Sequence, residues 1–200
     1  AEVVAKKIIE KNPRDVNAAL LLGRVAINAR AFSDAEQIFR KIVDIAPRFM
    51  LAWHDLSTAL KEQDKEEEAQ EVLQKAISID SGNAISHYYL AAVFAKLGKT
   101  EESATSYKIA TELDPKLAGA HLGLGHVLKT LGDVDAGIAA YRQAINLRPN
   151  FGEIYFSLSN LKTFRFTDDE IKDMASRIDQ EKLDTDSVVH FAFSLGKAYE

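Results

Sequence analysis

The sequence predicts an all-α fold, a solenoid of antiparallel helix pairs, and three observations carry that prediction. The four prolines, Pro13, Pro47, Pro115 and Pro149, are separated by 34, 68 and 34 residues, so all of them sit on one 34-residue lattice. Residues one period apart match in size and polarity along most of the chain. Helix-stop signals fall where that lattice places helix ends.

Repeats begin at Val16, Met50, Ala84, Ala118 and Gly152, and give the position numbers used below. Position 7 reads Leu22, Leu56, Leu90, Leu124 and Leu158. Position 8 is always small: Gly23, Ser57, Ala91, Gly125 and Ser159. Position 20 is Ala35, Ala69, Ser103 and Gly137, and position 24 is Phe39, Leu73, Tyr107 and Tyr141. Position 27 is Ile42, Ala76, Ala110 and Ala144. Small residues at 8 and 20 let two helices approach closely, and large residues at 7 and 24 fill the space beside them. Position 32 is proline, or Ser81 in one repeat, and proline there ends the second helix of the pair. Gly98 and Gly132 suit the left-handed residue that ends a first helix. Ser33-Asp34-Ala35-Glu36 and Thr167-Asp168-Asp169-Glu170 read as capping boxes, and Thr100 and Asp133 as further caps. Residues 1–13 read as the second helix of a truncated repeat, with Val4, Ala5, Ile8 and Ile9 on its apolar face.

This pattern resembles the tetratricopeptide repeat, W-x2-L-G-x2-Y followed by A-x3-F and P. The resemblance covers residues 1 to about 160, with four repeats over 14–151 (16–49, 50–83, 84–117 and 118–151). Trp53 takes the family's tryptophan position, where Ala19, His87, His121 and Tyr155 stand elsewhere. Residues 152–184 are expected to form a divergent fifth repeat. A helix is expected from Asp168 to about Asp179, and residues 185–200 are expected to open a further, truncated repeat. In that last segment Leu195, Gly196 and Tyr199 have the 7, 8, 11 spacing of a first helix.

Composition excludes several functions. The net charge is −5, and no basic block supplies the positive footprint that nucleic acid requires. No apolar run approaches the length of a membrane span, so neither partner is expected. The chain has no cysteine, which fits a reducing, cytoplasmic setting. It begins at Ala1 without methionine and stops at Glu200 within an expected helix, which reads as a fragment of something longer. Gly98-Lys99-Thr100 mimics the end of a phosphate-binding loop, but Val93 stands where the motif needs glycine and a helix where it needs a strand. The five histidines, His54, His87, His121, His126 and His190, include no His-Glu-x-x-His run or i, i+4 pair. His87 and His121 are expected to be packing residues. Glu66-Glu67-Glu68 complements the dipole at a helix start. No catalytic motif, cofactor site or metal site is expected, and the chain is read as a non-enzyme.

The resemblance implies a right-handed superhelix whose first helices line a concave groove through positions 2, 5, 6, 9, 12 and 13. Groove residues are then Asn17, Leu20, Arg24 and Asn28 in the first repeat and His54, Asp55, Thr58 and Lys61 in the second. Tyr88, Tyr89 and Lys96 follow in the third, His126, Lys129, Gly119 and Gly123 in the fourth, and Phe156 and Asn160 in the fifth first helix. The partner expected there is a peptide or protein segment. Packing within the repeat is the competing role for Tyr88 and Tyr89. Some family members clamp a terminal carboxylate with Lys at 5 and Asn at 9; here those places hold Leu20 and Arg24, then His54 and Thr58. The asparagine ladder of the sugar-transferring branch is absent at position 6. Residues 157–166 and 190–198 resemble the segment that joins repeats to the transferase domain in bacterial tetratricopeptide–sulfotransferase fusions. That resemblance implies a substrate-recruiting role beside a sulfuryl transferase. Exposed solenoid ends make end-to-end self-association the third expectation.

Overall fold

The computed structural model describes residue 12, residues 15–178 and residues 183–200. The helix expected over residues 1–13 lies outside them, apart from Asn12. The described residues form eleven α-helices and no strand. They fall into two compact units, Ala1–Leu113 and Asp114–Glu200.

In the first unit, α1 (Val16–Asn28) pairs with α2 (Phe32–Ile45), α3 (Met50–Lys61) with α4 (Glu66–Ile79), and α5 (Ala84–Lys96) with α6 (Thr100–Leu113). Within this unit α2 also packs on α3 and α4 on α5, so its three hairpins stack. The second unit opens with the hairpin α7 (Ala118–Thr130) and α8 (Val134–Leu147). In all four hairpins positions 8 and 20 are buried, and so are the large residues at 24. The reason is steric. A Cβ on Gly125 would lie 2.7 Å from Tyr141 Cδ1, and one on Gly23 would collide with the Phe39 ring. Where position 20 is Ser103, its hydroxyl donates to the Ala91 carbonyl at position 8, 2.7 Å away. Position 7 is less uniform: Leu56, Leu90 and Leu158 are buried, while Leu22 and Leu124 are half-exposed.

The turns inside the hairpins repeat one geometry. Each first helix ends with a residue at positive φ: Arg30 (60°), Asp64 (56°), Gly98 (72°) and Gly132 (86°). The next amide donates back to the helix, Ala31 to Ala26, Lys65 to Leu60, Lys99 to Phe94 and Asp133 to Leu128, within 2.8–3.1 Å. That is the left-handed C-terminal cap, which satisfies carbonyls the helix cannot. The sequence announces it only where glycine stands.

Position 4 has a role beyond packing. Trp53 Nε1 donates to the Pro47 carbonyl at 2.8 Å, and Tyr155 OH to the Pro149 carbonyl at 3.3 Å. His87 Nε2 faces the Ser81 carbonyl at 3.2 Å and His121 Nε2 the Pro115 carbonyl at 3.0 Å, so each carries its proton on Nε2. A donor-bearing ring thus ties the first helices that begin at Met50, Ala84, Ala118 and Gly152 to the turn six residues before it; α1, with Ala19 there, lacks one.

Two caps differ from expectation. The helix α2 starts at Phe32, and Ser33 makes no capping bond. Glu36 instead accepts from Arg40 at 2.8 Å, Gln63 at 2.9 Å and Lys65 at 2.8 Å. Thr100 lies inside its helix and donates to the Gly98 carbonyl. Asp133 does cap α8, and the Thr167–Glu170 box closes in both directions, at 2.8 and 3.2 Å.

The lattice changes after α8. The helix α9 (Gly152–Ser159) has eight residues. A long turn through Leu161 and Phe164 leads to α10 (Asp168–Ile178), and α11 (Thr185–Ala198) ends the unit. The helix α9 packs closely against α11, and α10 reaches α9 through side chains such as Met174 on Tyr155. Gly152 permits the α9–α11 approach, since a Cβ there would lie 2.5 Å from the Ser187 carbonyl oxygen. The register of α11 also differs from the spacing of Leu195, Gly196 and Tyr199. The helix buries Ser187, Phe191 and Ser194, while Gly196 and Tyr199 face solvent, because Asp184 caps it a turn earlier.

Asp64 carries a Cβ in a conformation that disfavours one, whereas a Cβ at Gly98 would meet nothing within 4 Å. Asp64→Gly is expected to stabilise the protein by about 1 kcal/mol and Gly98→Ala to destabilise it by about the same amount. Urea unfolding checks both, and shifts of the same sign would contradict the shared geometry.

Candidate functional site

The first helices α1, α3 and α5 neighbour one another along one face of the first unit. Their groove positions converge there. Tyr89 stacks on His54 with ring centres 5.1 Å apart and planes 3° from parallel. Tyr88 stands edge-on to Tyr89 at 5.5 Å and tilts against Tyr107 at 6.0 Å. Arg24 Nε donates to Asp55 Oδ2 at 2.6 Å, tying α1 to α3. The Thr58 hydroxyl donates to the His54 carbonyl at 3.1 Å.

Burial divides the labour among these groups. His54 is only 4% exposed, so it backs the Tyr89 ring and does not present itself. Its Nε2 meets the Ser86 hydroxyl at 2.9 Å, and that hydroxyl lies 3.2 Å from Asn83 Oδ1. Leu20, also at position 5, is core. Tyr88, Tyr89, Asp55 and Thr58 are half-buried, and Arg24 is exposed. These five form the accessible surface: two perpendicular phenol rings beside one ion pair. Burial foremost, then the Asp55 carboxylate, raises the Tyr89 hydroxyl above its ordinary range, so it remains a neutral donor.

The other expected site residues lie apart from this cluster or have other occupations. Asn17 and Asn28 are exposed at the two ends of α1. Lys96, in the last turn of α5, lies 3.8 Å from Glu66, whose Oε1 is buried without a hydrogen bond. In the second unit, His126 Nδ1 meets the Tyr141 hydroxyl at 2.9 Å, a bond within its own hairpin. Lys129 is exposed in the last turn of α7. Asn160 caps α9 and accepts from Lys197 Nζ at 3.2 Å. Sequence reasoning missed Ser86 and Asn83, which hold the buried His54 ring; the signal was an Asn-x-x-Ser start at α5.

Burial lowers the His54 imidazole from 6.5 to about 4. The fold holds it neutral while the unfolded chain protonates near 6.5, so stability is complete above pH 6.5 and falls as pH drops toward 4. The loss is on the order of 3 kcal/mol. Glu36 adds a second loss at lower pH. Burial alone would raise it, but hydrogen bonds from Lys65, Arg40 and Gln63 prevail and lower it from 4.5 to about 2. His54→Gln is expected to flatten the pH dependence of urea unfolding between pH 6.5 and 4.5; an unchanged slope would contradict the assignment.

The sequence matches three tetratricopeptide-repeat models, one over residues 1–48, one over 51–83 and again over 118–151, and one over 93–132. No curated protein matches it. Among solved structures it is similar to TTC0263, a tetratricopeptide-repeat protein of Thermus thermophilus, at 21% identity and TM-score 0.68 over 90% of this chain and 98% of that one. It is also similar to YrrB, a tetratricopeptide-repeat protein with an unusual peptide-binding site, at 17% identity and TM-score 0.62 over 99% and 92%. MamA of Desulfovibrio magneticus RS-1 matches at 18% identity and TM-score 0.61 over 72% and 82%. At such identities the likeness is one of fold. Close-approach positions at a 34-residue stride, their burial in every described hairpin and the matches along 1–151 agree, and the chain belongs to the tetratricopeptide-repeat family.

Proposed function

We propose that this chain is a protein-interaction scaffold that holds an extended protein segment against α1, α3 and α5. The observation that carries the reading is the aromatic corner made by Tyr88 and Tyr89, held rigid from behind by His54 and flanked by the Arg24–Asp55 pair. Rigid phenol rings lose little conformational entropy on binding and offer both an apolar face and a hydroxyl. The ion pair beside them can exchange partners with a charged side chain or with the peptide backbone. Asn17 and Asn28 extend this surface along α1, and Thr58 and Lys96 lie on the neighbouring first helices. That YrrB has a peptide-binding site supports the class of ligand.

The test is a peptide-array selection on the 200-residue chain, followed by calorimetry of the best ligand against variants. Tyr89→Ala and Arg24→Glu are each expected to weaken it at least tenfold, about 1.4 kcal/mol, with the helical circular dichroism unchanged. Full affinity in both variants would exclude this face.

A second reading, self-association, draws support from α11 and its C-terminal cap, where Val189 is 60%, Phe193 43% and Tyr199 74% exposed. Light scattering across a concentration series is expected to show growth that Phe193→Glu abolishes. A monomer at every concentration would reject it.

A further inference from the structure

The second unit contains a cavity of about 260 Å³ that the interaction face does not use. It lies where the turn after α9 meets the end of α11. The Lys162–Phe166 stretch that breaks the repeat therefore does more than connect: Lys162, Phe164, Arg165 and Phe166 all line this space with Asn160 and Lys197.

Three of its lining residues, Lys162, Arg165 and Lys197, are cations. Elsewhere in this unit, Lys116, Lys129 and Arg148 make no ion pair among the described residues, whereas Arg142, Lys172 and Arg177 each face a carboxylate, Glu170, Asp169 and Asp173 respectively. Among the described residues, Lys162, Arg165 and Lys197 have none within ion-pair distance, although the chain as a whole carries a net charge of −5. Arg165 uses only Nη1 internally, donating to the carbonyls of Phe164 at 2.8 Å and Lys162 at 3.3 Å. The rest of its guanidinium fork remains available. Lys197 Nζ is steered by Asn160 Oδ1 at 3.2 Å and by the Phe193 ring, 5.4 Å from its centre. Glu200 is the one acidic side chain in the lining.

Three cations around one cavity, one of them with a free planar fork, match an oxyanion better than any neutral group. We propose that this cavity binds an oxyanion of the phosphate type, gripped by Arg165 and neutralised by Lys162 and Lys197. The ligand is either a free anion or the same group carried on a side chain of a partner segment. The three cations outnumber the single Glu200 side-chain carboxylate in the lining, and a bound oxyanion relieves the repulsion that remains among them.

The test is NMR titration of the 200-residue chain with inorganic phosphate and, in a parallel arm, with a phosphoserine peptide. Saturable shifts confined to Asn160, Lys162, Arg165 and Lys197 are expected, with half-saturation at roughly millimolar phosphate and weakening as salt rises. Arg165→Glu and Lys197→Glu should each lower the affinity at least tenfold. Lys116→Glu, an equal charge reversal on an exposed residue outside the cavity, should leave it within twofold. Tighter binding of the peptide assigns the site to a side-chain-borne group, and equal binding to the free anion. Non-saturating, dispersed shifts in both arms, or equal losses in all three variants, would overturn the proposal.

Discussion

The structure depends on how closely two helices of a hairpin can approach. At position 8 the first helix offers Gly23, Ser57, Ala91 or Gly125, and the second helix lays Phe39, Leu73, Tyr107 or Tyr141 into the gap. With the Tyr141 ring already seated, Gly125 has no room for a methyl group. Close packing of this kind recovers dispersion contacts that a looser pair of helices would forgo. It also fixes the crossing of the two helices, and so fixes which residues of the first helix face away from the second. The interaction face is a consequence of that packing.

A second set of interactions joins successive repeats. Trp53, His87, His121 and Tyr155 differ in size and chemistry, yet each reaches back to the carbonyl six residues earlier. The common property is a ring with a hydrogen-bond donor at its far end. Because residue 32 is usually proline, the turn offers its carbonyl without a competing N–H, and a donor from the next helix satisfies it. A polar contact thus anchors each new hairpin while the apolar residues supply most of the stabilisation.

The two candidate surfaces differ in how they are supported. On the first unit, Tyr89 lies against a histidine that is itself hydrogen-bonded and buried, so the ring is presented from a rigid backing. In the second unit, the oxyanion cavity arises where the repeat geometry gives way and α11 crosses α9. The pocket recruits Lys162 and Arg165 from the irregular turn and Lys197 from a helix 32 residues later than Arg165, a juxtaposition only folding creates.

The sequence by itself determined the helix pairs, their stride, the buried positions 20, 24 and 27, and the small residue at 8, because close packing constrains side-chain volume directly. It determined the Thr167–Glu170 cap, where both partners are local. It did not reveal the left-handed turns at Arg30 and Asp64, since tertiary packing there holds a conformation that the residue type disfavours. Nor did it reveal that Ser33 would leave its cap while Glu36 joined Arg40, Gln63 and Lys65, two of which come from the following hairpin. The groove residues were legible as positions on a lattice. Which of them are open and which are backing was decided by the tertiary structure, because exposure depends on neighbouring helices that no single repeat encodes.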